Sequence, residues 1–351
     1  MMVAMTDAQP GAHDGASPNS ANNANTNASN RPPVDWRAWW QAARPHTWPN
    51  AFAPVIAGTG AAAYWSSAHI GKALLALVVA WALIVGVNFA NDYSDGIRGT
   101  DKERTGPARL TASGQARPDD VKLAAFIAFG VAAVFGFILA ATSSWWLLLI
   151  GVVCIAAAWF YTGGSHPYGY AGFGELAVFI FFGLVAVMGT EFVQSGFVSG
   201  QGFLCALAIG AISAAVNLAN NIRDIPTDQA AGKNTLAVRI GDQSARVLFV
   251  TLTLIPFVVT ILLALSTPLA LVGFAALPFA FASILTMRRG AAGAELIPVL
   301  RTNGWAMLIW AVVTAIALAW FGAFFWGEAV PYTEGESDFG WSMYLPQSSM
   351  F

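Results

Sequence analysis

The chain has 351 residues, of which 56% are hydrophobic and only 10% are charged, and its formal net charge at pH 7 is −2. This composition excludes an ordinary soluble domain and shows none of the basic excess that a nucleic-acid partner requires. A membrane-crossing helix needs about 20 mostly apolar residues. We therefore expect an all-α polytopic membrane protein.

Nine apolar segments of the chain have the length and composition of membrane spans. The first of them, residues 47–65, carries two prolines, and the last ends about 25 residues before the C-terminus. In chain order, the predicted spans are 47–65, 72–91, 121–141, 144–161, 174–192, 202–221, 245–265, 268–286 and 303–326.

The sequence predicts that the chain has three parts, a membrane domain and a tail on either side of it. Residues 1–35 lack the apolar core of a signal peptide and are rich in Asn, Ala and Ser, which is typical of a disordered tail. Residues 36–326 form the membrane domain, and residues 327–351 form an acidic tail.

The distribution of Lys and Arg predicts the orientation in the membrane. If the N-terminus is cytoplasmic, every Lys and Arg except Lys72 lies on the cytoplasmic side of the nine spans. This agrees with the positive-inside rule. We expect a multi-pass protein of the bacterial inner membrane, with the N-terminus inside and the tail 327–351 outside.

Two stretches, 87–95 and 216–224, read almost alike, and each lies where an apolar span meets a charged loop. Their Asn and Asp residues share the spacing i, i+3 and i+7, which places them on one stripe of a helix. Both follow spans that run inward, so they predict a parallel internal repeat around a central cavity. The repeated residues are Asn88, Asn91 and Asp95 in the first stretch and Asn217, Asn220 and Asp224 in the second.

Further acids follow each stretch, Asp101 after the first and Asp228 after the second. Acids at the C-terminus of a helix oppose its macrodipole, and a divalent cation reverses that penalty. Mg²⁺ prefers oxygen ligands, commonly one or two carboxylates with water and substrate phosphates. Two facing acid clusters therefore predict carboxylate–Mg²⁺ sites that hold one diphosphate.

Several motifs make the chain resemble the UbiA superfamily of intramembrane prenyltransferases. Within this superfamily, the motifs are similar to those of the branch that prenylates 1,4-dihydroxy-2-naphthoate in menaquinone synthesis. The third acid of the first motif commonly falls at the position of Gly99 in the superfamily, whereas this chain has Asp101. The resemblance covers roughly residues 40–326 and lies in Asn91-Asp92-x-x-Asp95, in Asp224-x-x-x-Asp228 and in the stretches 99–109, 161–175 and 220–236.

The resemblance implies a helical bundle around a central cavity, with polyprenyl diphosphate and the naphthoate as substrates and membrane lipid around the bundle. Mg²⁺ would help pyrophosphate leave, and the acceptor's carboxyl group would depart as CO₂ to give demethylmenaquinone. Asp95, Asp224 and Asp228 are the implied catalytic residues.

The remaining candidate site residues fall into three groups. The implied metal ligands are Asp92, Asp95, Asp101, Asp224 and Asp228. The candidates for diphosphate binding are Lys102, Arg109, Arg223 and Lys233, with the amides Asn88, Asn91, Asn217 and Asn220. The candidates for contact with the acceptor are Tyr161 and His166, the latter also as a proton-handling group.

Other functions remain open from the sequence. A related acceptor, such as homogentisate or 4-hydroxybenzoate, would fit the same chemistry, and the prenyl chain length is not determined. Asp92-x-x-Asp95-Gly96 imitates the start of the CDP-alcohol phosphotransferase signature, but the required continuation is missing. A secondary transporter would also have repeats with buried polar residues, although its site would lie near the bilayer midplane.

Overall fold

The structure is a computed structural model that describes residues 35–99 and 109–327, and every regular element in these ranges is helical. The expectation of an all-α protein is thus confirmed. The helices are α1 (Trp36–Ala42), α2 (Pro49–Tyr64), α3 (Ile70–Arg98), α4 (Pro118–Ala141), α5 (Leu147–Phe160), α6 (Gly174–Val178), a π-helical stretch (Phe179–Met188), α7 (Gly189–Ser195), α8 (Gly200–Arg223), α9 (Ile225–Ala230), α10 (Leu236–Ala264), α11 (Leu277–Arg288) and α12 (Ile297–Gly327). Short 3₁₀ turns lie at Pro45–Thr47, Tyr168–Ala171, Pro268–Ala276 and Gly293–Leu296.

Seven helical segments within the described ranges are long and apolar enough to cross a membrane. The prediction of nine spans is therefore confirmed only in part. The segments 47–65 and 144–161 are helical, but α2 has 16 residues and α5 has 14, short of the roughly 20 that a full crossing requires. The seven are Ile70–Arg98, Pro118–Ala141, Gly174–Ser195, Gly200–Arg223, Leu236–Ala264, Pro268–Arg288 and Gly293–Phe325.

Helix α8 lies at the centre of the bundle and packs against α2, α10, α12 and the π-helical stretch. Most of its residues are buried. The crossing with the π-helical stretch is very close, because a Cβ atom at Gly183 would lie only 2.5 Å from the Cα atom of Gly210. At the C-terminal end of α8, the charged side chains of Arg223 and Asp224 are buried inside the protein.

The two repeated stretches end their helices differently. Helix α3 continues through Asp95 to Arg98 and stops at Gly99, whose φ of 71° only glycine adopts without strain. Helix α8 stops at Arg223, and Asp224 caps it outside helical geometry. Asp228 lies on the separate short helix α9, so the second stripe does not continue on one helix.

Candidate functional site

A polar cavity of about 110 Å³ is lined by side chains from the C-terminal ends of α3 and α8. The two motifs, far apart in the sequence, both contribute side chains to its wall. Among the predicted site residues, those that line it are Asn91, Asp95, Arg109, Tyr161, Asn217, Asn220, Asp224, Asp228 and Lys233.

Asp95 has two basic neighbours and a phenol neighbour in this cavity. Its Oδ1 accepts hydrogen bonds from the Tyr170 hydroxyl and from Lys233 Nζ at 3.2 Å, and its Oδ2 lies 3.7 Å from Arg109 Nη2. The residue is only 5% exposed, and a buried carboxylate needs such partners to remain charged. Because Lys233 follows α9, this contact joins the first motif to the second.

Asp224 and Asp228 also line the polar cavity. Asp224 accepts two hydrogen bonds of 2.7 Å from the guanidinium of Arg223, one from Nε and one from Nη2. The paired geometry holds the Asp224 side chain in one orientation. The backbone N–H of Asp228 donates to the Asp224 carbonyl at 2.8 Å, and the Lys233 N–H donates to the Asp228 carbonyl at 2.8 Å. The two acids and Lys233 thus belong to one compact turn.

The structure does not bring every predicted residue into the cavity. Asp92 is 1% exposed, and its carboxylate accepts backbone N–H groups of Leu110 and Thr111, each at 2.9 Å. It therefore anchors the segment after the first motif. His166 is exposed, with Nδ1 3.0 Å from Ser165 Oγ.

Two other predicted residues, Arg223 and Asn88, also differ from the expectation. Arg223 bonds to Asp224 and is not among the residues that line the polar cavity. Asn88 donates from Nδ2 to the Ala43 carbonyl and to Thr47 Oγ1, both at 3.1 Å. Asp101 and Lys102 lie outside the described residues.

The α5–α6 loop (residues 161–173) covers the polar cavity. The Arg98 guanidinium donates to the carbonyls of Thr162 and Gly164, and Thr162 Oγ1 donates to Asn91 Oδ1 at 2.7 Å. On the other side, the Asn234 N–H donates to the Tyr170 carbonyl at 2.9 Å. The loop is therefore bonded to both motifs.

Tyr170 is a site residue that the sequence analysis missed. Lys233 Nζ lies 4.5 Å and Arg98 Cζ lies 5.5 Å from the centroid of the Tyr170 ring. Both distances are within the range of cation–π contacts. Burial and the Asp95 carboxylate raise the pKa of the Tyr170 phenol well above its usual value. The hydroxyl is therefore protonated near neutral pH and donates to Asp95. An aromatic residue in a glycine-rich loop was the available signal in the sequence.

An apolar cavity of about 320 Å³ adjoins the polar one. The π-helical stretch and helices α3 and α5 contribute much of its wall, and Arg44 is the only charged residue that lines it among those described. At the far end lies a cluster of buried apolar side chains that includes Val55, Ala76, Leu139 and Val193. The residues common to both cavities are Arg44, Asn91, Tyr161, Asn217 and Asn220.

Arg44 stands at this junction in a left-handed backbone conformation, with φ of 51°. A non-glycine residue rarely adopts that conformation, and such residues are concentrated at functional sites. In the sequence, Arg44 stands just before the first predicted span, in the segment Arg44-Pro45-His46-Thr47. A positive charge thus lies where the polar and the apolar cavities meet.

The donor set of the polar cavity fits a hard divalent cation. Carboxylates and amide oxygens line it, and oxygen is the ligand that Mg²⁺ prefers. Within residues 35–99 and 109–327, no three acidic, His or Cys side chains come close enough to form a complete protein cage. This pattern suits an ion that takes its remaining ligands from water and a phosphorylated substrate.

Fold and site together define a class: a helical membrane bundle in which acids from two helix ends share a polar cavity beside an apolar one. The sequence profile of the UbiA prenyltransferase family matches residues 51–295. The chain belongs to this family.

Relatives and solved structures agree with that assignment. A protein of Mycobacterium tuberculosis (strain H37Rv) named 1,4-dihydroxy-2-naphthoate octaprenyltransferase is 55% identical over 281 residues, which cover 80% of this chain and 96% of that protein. A protein of the same name from Escherichia coli K12 is 40% identical, over 60% and 70% of the two chains. The structure of a UbiA homolog from Archaeoglobus fulgidus bound to DMAPP and Mg²⁺ has a TM-score of 0.58 at 15% identity, over 80% and 99%, and shares the fold.

Proposed function

We propose that the chain transfers a polyprenyl group from polyprenyl diphosphate to 1,4-dihydroxy-2-naphthoate. The carboxyl group of the acceptor leaves as CO₂, and the product is demethylmenaquinone in its reduced form. The observation that carries the proposal is the junction of the two cavities, where five residues are common to a polar, charged space and an apolar one. A prenyl diphosphate likewise has a charged diphosphate group at one end and an apolar chain at the other. The names of the relatives supply the acceptor.

The polar cavity would bind the diphosphate. Arg109 and Lys233 provide positive charge beside Asp95, and both would contact phosphate oxygens. Asp95, Asp224 and Asp228 would hold Mg²⁺ with the help of nearby amide oxygens. The ion would neutralise the negative charge that develops on the departing pyrophosphate.

The acceptor would lie at the junction, between the diphosphate and the apolar cavity. Arg44 would pair with the naphthoate carboxylate, since a guanidinium matches the geometry of a carboxylate. The Tyr161 hydroxyl, which donates to Asn217 Oδ1 at 3.2 Å, would limit the acceptor's position from the other side. Both residues would place the carboxyl-bearing carbon toward the allylic carbon.

The reaction needs no general base at the ring carbon, because CO₂ rather than a proton leaves from that carbon. The allylic C–O bond breaks, with its electron pair leaving on pyrophosphate, and the ring carbon attacks the allylic cation. The bond from that carbon to the carboxylate then breaks, and its electrons restore the aromatic ring. His166 need not reach the reacting atoms, which agrees with its exposed position.

The apolar cavity would hold the first part of the prenyl chain. Its wall runs along α3 from Asn91 to Ala76, which corresponds to a depth of about 22 Å at 1.5 Å per residue. Burial of methylene groups there would contribute about 0.8 kcal/mol each. Burial of the prenyl chain, far from the reacting carbon, would thus help to keep the diphosphate in its site.

Our proposal for the membrane topology retains nine crossings, with α2 and α5 as the two short ones. The N-terminus would be cytoplasmic, the tail 327–351 would be outside, and the internal repeat would be parallel. The entry of both motifs into one cavity supports this arrangement, because the two motifs must then lie at the same membrane face. A transporter would place its site near the midplane instead.

An acceptor panel tests the proposed function. Purified protein with one polyprenyl diphosphate and Mg²⁺ should prenylate 1,4-dihydroxy-2-naphthoate, and should use 4-hydroxybenzoate or homogentisate on the order of tenfold less well, which is about 1.4 kcal/mol of discrimination. A clear preference for one of these benzene-ring acceptors would leave a prenyltransferase with a different acceptor. Absence of transfer to all three would overturn the proposal.

A further inference from the structure

Glu175 is a buried acid that has no role in the proposed reaction. It lies in the first turn of α6 and is only 5% exposed. Its Oε2 is buried without a hydrogen-bond partner among the described residues. An acid at such a position in a membrane span is unfavourable for stability, and buried ionisable groups in spans commonly serve function.

The other oxygen of Glu175 contacts two amides of the second motif. Oε1 accepts from Asn221 Nδ2 at 2.6 Å and from Asn217 Nδ2 at 3.4 Å. The close approach depends on the preceding glycine, since a Cβ atom at Gly174 would lie 3.1 Å from both Asn217 Nδ2 and the Tyr161 hydroxyl. The turn that carries Glu175 is thus packed against the side chains that line the site.

A carboxyl oxygen that carries no proton accepts hydrogen bonds and donates none, and Oε1 of Glu175 accepts from both asparagines. Each asparagine must therefore present its NH₂ group to Glu175 and turn its carbonyl oxygen elsewhere. For Asn217 that oxygen accepts from the Tyr161 hydroxyl. Asn221 lines the polar cavity and Glu175 does not, so the carbonyl oxygen is the part of the Asn221 amide left for the cavity.

We propose that Glu175 is a positioning residue that orients Asn221, and through Asn217 also Tyr161, so that the cavity receives a carbonyl oxygen rather than an amide NH₂ group. An NH₂ group would repel a cation, whereas a carbonyl oxygen is a suitable ligand or partner for its bound water. The inference rests on the proposed function, because it assumes a cation with a diphosphate in this cavity. It assigns Glu175 no contact with substrate.

The test measures metal binding rather than turnover. Mn²⁺ binding in the presence of inorganic pyrophosphate can be followed by electron paramagnetic resonance on the detergent-purified chain. Glu175→Gln should bind Mn²⁺ about tenfold more weakly than wild type, as expected for loss of a group that orients a ligand. The KM for the naphthoate should change less than the half-saturating concentration of Mg²⁺.

Glu191 provides a matched control. It is a fully buried glutamate near the other end of the same span, where it accepts from the Ser199 N–H at 3.1 Å, and it lines neither cavity. Glu191→Gln should bind Mn²⁺ as wild type does. An equal loss of affinity in both variants would mean a general effect of removing a buried acid, and would overturn the proposal.

A double-mutant cycle keeps the proposal testable if Glu175→Gln is poorly folded. Asn221→Ala alone should lose Mn²⁺ affinity to a similar extent, and adding Glu175→Gln to it should cause clearly less than the additive loss. Unchanged affinity in Asn221→Ala, or fully additive losses, would overturn the role of Glu175. Wild type that binds no Mn²⁺ with pyrophosphate would instead remove the metal–diphosphate site, and this inference with it.

Discussion

The first and second motifs have nearly the same sequence, but equivalent positions have different contacts. Asp92 accepts two backbone N–H groups, whereas its counterpart Asn221 donates to Glu175. Asp95 is surrounded by Tyr170, Lys233 and Arg109, whereas its counterpart Asp224 pairs with the adjacent Arg223. A repeated pattern in sequence therefore specifies a shared location, and the surrounding helices decide what each copy does there.

The charge around the two equivalent acids explains part of this difference. The first motif receives its cations from other elements, Lys233 and Arg109, and is thereby tied to the rest of the site. The second motif carries its own cation, Arg223, at the end of α8. Removing Lys233 should consequently disturb the contact between the two motifs, and the Lys233 variant below tests that.

The largest expected effects come from Asp95→Asn and Asp224→Asn. Each should lower turnover on the order of 100-fold or more, because an amide cannot supply the charge that a carboxylate gives to Mg²⁺. Turnover should be measured with folded protein at saturating Mg²⁺, with Asp119→Asn as a control on an exposed acid at the start of α4. Wild-type rates in either variant would contradict a site shared by both motifs.

Lys233→Gln should have the next largest effect. The variant loses an ion pair with Asp95 and a cation for the diphosphate, so the KM for polyprenyl diphosphate should rise roughly tenfold or more, in line with hydrogen bonds to charged groups. Lys122→Gln is the matched control, because Lys122 contacts the Tyr93 ring outside the site. If both variants behaved alike, Lys233 would have no special role.

Asp92→Asn should reduce stability rather than metal binding. The amide nitrogen cannot accept a backbone N–H, so one of the bonds to Leu110 and Thr111 is lost, at about 1 to 3 kcal/mol. The melting temperature should fall while Mn²⁺ affinity in the presence of pyrophosphate stays unchanged. A loss of Mn²⁺ affinity without a change in melting temperature would make Asp92 a ligand after all.

Tyr170→Phe should have the smallest effect. It removes one hydrogen bond to Asp95 and keeps the ring between Lys233 and Arg98, so turnover should fall by a factor of about 2 to 10. The raised pKa keeps the wild-type phenol protonated below its ordinary value of about 10. Rate profiles of wild type and variant should therefore run parallel from about pH 6 to pH 9, and a profile altered by the substitution would show that the phenol titrates.

The sequence was sufficient for features that depend on local periodicity. Each of the nine apolar segments predicted from the sequence is helical, and the i, i+3, i+7 spacing correctly placed Asn88, Asn91 and Asp95 on one helix. It could not show that α2 and α5 are short, because their ends depend on the turns at Trp65 and after Phe160. Helix ends reflect capping and packing more than composition.

Contacts between distant elements were beyond the sequence. The bond from Tyr170 to Asp95 depends on how the α5–α6 loop folds over the cavity, and nothing in residues 161–173 alone indicates it. The hydrogen bonds from the Leu110 and Thr111 N–H groups to Asp92 likewise form only when the segment after the first motif is folded against α3. An acid in a motif is therefore a candidate ligand only until its neighbours are known.

The most direct test of the central claim is the release of CO₂. Purified protein should be given polyprenyl diphosphate, Mg²⁺ and 1,4-dihydroxy-2-naphthoate labelled in its carboxyl carbon, and CO₂, pyrophosphate and prenylated product should be counted together. One CO₂ and one pyrophosphate should appear per prenylated naphthalenediol, and Asp95→Asn should lower all three on the order of 100-fold or more. A prenylated product that keeps its labelled carboxyl group, or release of CO₂ without prenylation, would contradict this claim.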